Sequence, residues 1–134
     1  MELSNILSWF NRAYETEISR ALLIQCQTIL AEGFTNAVRH AHCGLSSDTP
    51  IDIEVDLLAD RIEICVWDQG PEFDLSQRIT SLEIAGRDAV GGRGIQLITR
   101  LADSFTYRRT EHRNCLRVVK TYPAPTCLNR LQDP

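Results

Sequence analysis

A chain of 134 residues that is 43% hydrophobic can bury a real core and reads as one domain spanning residues 1–134. Its 14 basic and 18 acidic side chains leave a formal charge of −4, which speaks against a nucleic-acid surface as its main business. No run approaches the roughly 18 apolar residues of a membrane span, and Met1-Glu2-Leu3 lacks the basic start of a signal peptide. The five cysteines, at positions 26, 43, 65, 115 and 127, form no CxxC pair and no metal-ligand spacing, so they read as reduced thiols in a cytoplasmic protein.

Leu3, Ile6, Leu7 and Phe10 recur at helical spacing and predict a first helix over about residues 3–13, with Trp9 assigned either to the core or to a partner surface. A longer helix is expected from about Glu15 to His42. On it, Asn36 falls about 40° from Glu32 and Arg39 about 20° on the other side, with His40 about 80° away, if winding is ideal. A carboxylate, an amide, a guanidinium and an imidazole thus share one flank, while Phe34, Val38 and Ala41 are expected to face the core. Ile51, Ile53, Val55 and Leu57 alternate with acidic residues, and Ile62, Ile64 and Val66 alternate again, which predicts an antiparallel hairpin. Its second strand ends in Trp67-Asp68-Gln69-Gly70-Pro71, a turn expected to expose Asp68.

Residues 71–90 have little strand character; Asp74 is a candidate cap for a short helix inside what reads as a lid. Gly91-Gly92-Arg93-Gly94 then leads into Ile95, Leu97, Ile98 and Leu101 at helical spacing. Phe105 and Tyr107 open a strand, residues 111–114 read as a turn, and Leu116, Val118 and Lys120 to Tyr122 carry the last strand. Residues 123–134, with Pro123 and Pro125, read as a loose tail. Segregated helices and hairpins make an α+β two-layer sandwich with a mostly antiparallel sheet. His42, His112 and the group Arg108, Arg109 and Arg113 read as solvated surface, and Cys65 as structural.

Three pieces carry chemistry. A glycine-rich loop before a helix is a phosphate cradle, because free amide N–H groups and the helix dipole both favour anions. The GKS/T of a P-loop is absent, and the third glycine of a dinucleotide fingerprint is replaced by Leu97. Alone, this loop is as readily a plain turn. Asp68 beside Gly70 offers an acceptor-only carboxylate at a strand end, suited to an exocyclic amine such as that of adenine, though most such aspartates only build turns.

Together, Glu32-x3-Asn36-x3-His40, Asp68-x-Gly70-Pro71-Glu72-Phe73-Asp74 and Gly91-Gly92-Arg93-Gly94-Ile95 resemble the GHKL superfamily of ATP-binding proteins. The likeness is nearest to its anti-sigma-factor serine kinases of Bergerat fold and runs from about Ala21 to Tyr122. The resemblance implies ATP and Mg²⁺ as cofactors, with Glu32 as general base, Asn36 as Mg²⁺ ligand, Asp68 on adenine, and Gly70, Gly91, Gly92 and Gly94 against the nucleotide. Charge and position add Arg39 and Arg93 as phosphate contacts. It further implies a protein-serine kinase whose partners are an anti-anti-sigma antagonist and a sigma factor, with a homodimer left open. The alternatives are a non-catalytic nucleotide-gated switch, or an ATP-binding half working with a separate histidine phosphoacceptor. Family members usually begin with a strand where this chain predicts a helix, and the twenty-residue lid is short, as in the small-kinase branch.

Overall fold

The structure, a computed structural model, describes residues 3–41, 49–71 and 93–122. Helix α1 spans Leu3–Tyr14 and buries Ile6 and Phe10, one turn apart. The chain then reverses, and α2 begins at Arg20 and not at Glu15. Ser19 makes the difference: its extended backbone breaks the helix, and its side chain accepts from the Leu22 N–H at 3.1 Å as an N-cap. Helix α2 (Arg20–Asn36) buries Leu22, Leu23, Cys26, Ile29, Leu30, Gly33 and Phe34, a stripe of 3.6-residue period.

The helix does not run on unchanged to His42. At Ala37 it widens into a π-helical segment, Ala37–Ala41. A π turn advances each residue by less than an α turn, so the flank and stripe drawn by ideal winding do not continue past Asn36. Val38, expected in the core, is 47% exposed.

Strands β1 (Asp52–Leu57), β2 (Arg61–Asp68), β3 (Ser104–Thr110) and β4 (Arg113–Thr121) form one antiparallel sheet in the order β1-β2-β4-β3. The alternation seen in the sequence settles its faces. Ile62, Ile64 and Val66 of β2 and Leu116 and Val118 of β4 are buried against the helices, each full burial worth about 1.5–3 kcal/mol. Helix α3 (Arg93–Leu101) packs beside α2 on this same face. Its Ile98 is buried, whereas Leu97, also at helical spacing in the sequence, is 36% exposed. The result is the expected α+β sandwich, with α1 in place of an opening strand.

The β3–β4 link is shorter than the sequence suggests. Only Glu111 and His112 lie between the paired residues Thr110 and Arg113, and Glu111 takes a left-handed backbone at φ 55°. Asn114 therefore belongs to β4 and not to a turn, and it is completely buried.

On the opposite sheet face, Glu63 pairs with Arg61 at 3.4 Å and also contacts Arg117, and Arg113 spans from Asp52 to the Trp67 ring. Among the described residues Cys26, Cys65 and Cys115 are free thiols. Burial pushes Cys26 and Cys115 up to about 12 and raises Cys65 as well, which disfavours the thiolate form in all three. None of the described helices is long and apolar enough to cross a membrane.

Candidate functional site

The helix-facing side of the sheet is built in rows. Ile53, Val66, Leu116 and Tyr107 lie across one row, and Val55, Ile64, Val118 and Phe105 across the next. Both rows are apolar. One step toward the other end, the same face carries Asp68, Asn114 and Arg109, each two residues beyond a core position on its own strand. The period that turns Val66, Leu116 and Tyr107 toward the core thus also places three polar side chains on the inner face.

These three groups are tied together. The Asn114 amide donates through Nδ2 to Asp68 Oδ1 and to the Gly70 carbonyl, both at 2.8 Å. The Gly70 N–H donates to Asp68 Oδ1 at 3.0 Å. A guanidinium nitrogen of Arg109 reaches the Gly70 carbonyl at 3.0 Å and Asn114 Oδ1 at 3.1 Å. Asp68 is 4% exposed, so the expectation that the turn exposes it is corrected: the inner-face parity of β2 turns it inward. Both of these bonds to Asp68 land on Oδ1 and come from neutral donors, and none of the ion pairs among the described residues involves it.

Glu32 and Asn36 are brought to this end of the sheet by Gly33. A Cβ at Gly33 would stand 3.2 Å from Val66 Cγ2 and 4.0 Å from Leu116 Cδ2, so a bare Cα lets α2 lie close on β2 and β4. Val66 is two residues before Asp68, and the π-helical segment also packs on β2. Asn36 lies seven residues from the buried Ile29, about 20° by ideal winding, and so leans toward the core. Its Oδ1 is buried and has no hydrogen-bond partner among the described residues, at a cost of about 1–3 kcal/mol. A helix that keeps such an acceptor fits a hard cation beside it, since Mg²⁺ takes oxygen ligands and commonly uses one or two protein groups plus substrate phosphates.

The remaining expected residues divide. Glu32 is half-buried on α2, Gly70 is buried, and Arg39 is exposed on the π-helical segment. Gly94 lies in the first turn of α3, where free N–H groups face out of the helix end. Arg93 opens that helix, but its side chain and that of His40 lie outside the described part. Gly91, Gly92 and the lid at 72–90 lie outside the described residues, as do His42 and the tail.

Two members of the site were missed in the sequence. Asn114 was assigned to a turn, and Arg109 to a solvated cluster with Arg108 and Arg113. The available signal was parity: Asn114 stands two before Leu116 and Arg109 two after Tyr107.

The model of the histidine kinase-like ATPase domain matches residues 2–120. The chain belongs to that family. Membership implies ATP as the nucleotide. It is also 34% identical over 110 residues to the serine-protein kinase RsbW of Listeria innocua, covering 77% of this chain and 65% of that protein. RsbW of Bacillus pumilus is 31% identical over the same length, covering 77% and 64%. The chain thus spans a little under two thirds of these relatives. The histidine kinase domain of the blue-light activated histidine kinase EL346 from Erythrobacter litoralis superposes with a TM-score of 0.56 over 88% of this chain and 62% of that one, at 14% identity, a likeness of fold.

Proposed function

We propose that this chain is one ATP-binding domain that holds Mg·ATP between the end of α2 and the polar row of the sheet. We infer further that it transfers the γ-phosphoryl group to a serine of a partner protein. The observation that carries the reading is Asp68: a buried carboxylate at a strand end whose partners here are neutral donors on Oδ1. An adenine amine is the kind of donor such an acceptor takes, and a charge-assisted bond in a shielded site is worth about 1.5–3 kcal/mol.

The other parts take their roles around it. Asn36 Oδ1, without a hydrogen-bond partner among the described residues, would hold Mg²⁺, which when bound would supply charge neutralisation at the phosphates. Gly94 belongs to the helix end that receives the phosphates, with Gly91, Gly92, Arg93 and Arg39 as further contacts. Glu32, one turn from Asn36, accepts the proton of the serine hydroxyl as its oxygen bonds to phosphorus and the bond to ADP breaks. The named relatives are serine-protein kinases, and this supports serine as acceptor. The family resemblance extends the reading to an anti-anti-sigma antagonist as substrate and a sigma factor as the sequestered partner.

The test is incubation with Mg·ATP and candidate antagonists, followed by intact-mass analysis. The reading expects one phosphoryl group added to the antagonist at a serine. ATP binding without transfer to any antagonist would leave a nucleotide-gated switch, and label on histidine would place the chain with the histidine kinases.

A further inference from the structure

Arg109 does not touch Asp68 in any ion pair described above, yet it ends the same row of the sheet. Its guanidinium donates to Asn114 Oδ1 and to the Gly70 carbonyl, while the Asn114 Nδ2 group donates to Asp68 Oδ1 and to that same carbonyl. An amide has one donor end and one acceptor end, and rotating it exchanges them. With a guanidinium on one side, only Oδ1 can face it, since a cation that carries donors alone offers nothing to an NH₂ group. The donor end is thereby aimed at Asp68. Arg109 also shares the Gly70 carbonyl, which fixes the peptide whose neighbouring N–H holds Asp68 Oδ1.

We propose that Arg109 is a positioning residue for nucleotide recognition, acting through Asn114 and Gly70 to hold Asp68 as an oriented, charged acceptor and so to select adenine over guanine. This rests on the proposed ATP site. Two physical consequences follow from the chain of bonds. The guanidinium polarises the Asn114 amide and strengthens its donation to Asp68, as hydrogen bonds in series do in a shielded site. Yet it stays one side chain away, so Asp68 is not neutralised by an ion pair and keeps its affinity for an amine. Guanine presents a carbonyl oxygen where adenine presents its amine, and an aimed carboxylate repels it. A carboxylate free to turn discriminates less.

Arg109 is an exposed residue and no member of the apolar core, so its replacement leaves the core intact. The experiment measures dissociation constants for Mg·ATP and Mg·GTP by calorimetry on the wild-type chain, Arg109→Met, Arg109→Lys and the control Arg108→Met. Arg108 lies on the opposite sheet face, paired with Cys115. Arg109→Met is expected to weaken ATP about tenfold and to reduce the ATP-to-GTP affinity ratio by a similar factor, with melting temperature nearly unchanged. Arg109→Lys, which keeps a cation with donors but not the fork, should recover part of the ratio, and Arg108→Met should keep the wild-type ratio. A wild-type ratio in Arg109→Met, or an equal fall in Arg108→Met, overturns the proposal while leaving the ATP site standing. Failure of the wild-type chain to bind ATP would instead remove the site on which it rests.

Discussion

Asn114 stands directly across the β2–β4 ladder from Asp68 and donates to its Oδ1 at 2.8 Å, both side chains buried. A buried carboxylate needs hydrogen-bond donors to offset its lost hydration, and here an amide and a backbone N–H provide them. Replacing Asn114 with Asp would keep the shape but turn the donor that faces Asp68 into an acceptor carrying like charge. We expect Asn114→Asp to bind ATP at least about tenfold more weakly than wild type, about 1.5–3 kcal/mol for the lost charge-assisted bond. Calorimetry on the two proteins checks it.

Asn36 separates stability from function. Its buried Oδ1 lacks a partner among the described residues, so removing it breaks no hydrogen bond found there. Asn36→Ala should leave unfolding in urea without nucleotide unchanged, or raise it by up to about 1–3 kcal/mol less the cavity cost. The same variant should lose the Mg²⁺-dependent part of ATP binding. Clear destabilisation, with Mg²⁺ dependence kept, would mean that the amide is structural.

Glu32 is where chemistry and binding part. Glu32→Gln keeps size and hydrogen bonding but removes basicity. It should bind Mg·ATP about as well as wild type and lose roughly 10²–10⁴-fold in transfer rate to serine. Single-turnover kinetics with labelled γ-phosphate gives the answer.

Gly33 sets the approach of α2 to the sheet. Gly33→Ala gains about 1 kcal/mol of helix propensity against crowding of Val66 Cγ2 at 3.2 Å, and should come out near neutral. Gly33→Val adds two methyl groups facing a stiff, buried partner and should cost about 1–3 kcal/mol in denaturant unfolding, with weaker nucleotide binding.

Most of the fold was legible because burial writes a period into the sequence. The alternations at 51–57 and 62–66 gave both strands of the first hairpin and their inward faces, and Leu3 to Phe10 gave α1. The start of α2 was misplaced because Glu15–Ile18 carries no Gly or Pro, although Ser19 held the cap signal. The flank past Asn36 was misdrawn because no residue type announces the switch to π winding. Asn114 and Arg109 were misassigned for a single reason: polar residues near a reversal look like turn residues, and only their two-residue offset from Leu116 and Tyr107 places them inside. Glu32, Asn36, Asp68 and Gly70 were singled out from spacing and resemblance, while the bonds that hold Asp68 required the register of strands 46 residues apart.

The most direct measurement of the central claim is calorimetric titration of the wild-type chain and Asp68→Asn with Mg·ATP. The account predicts saturable binding by wild type and a loss of about 1.5–3 kcal/mol in Asp68→Asn, roughly 10- to 150-fold in affinity. Folded wild-type protein that takes up no ATP, or Asp68→Asn that binds as tightly as wild type, would contradict it.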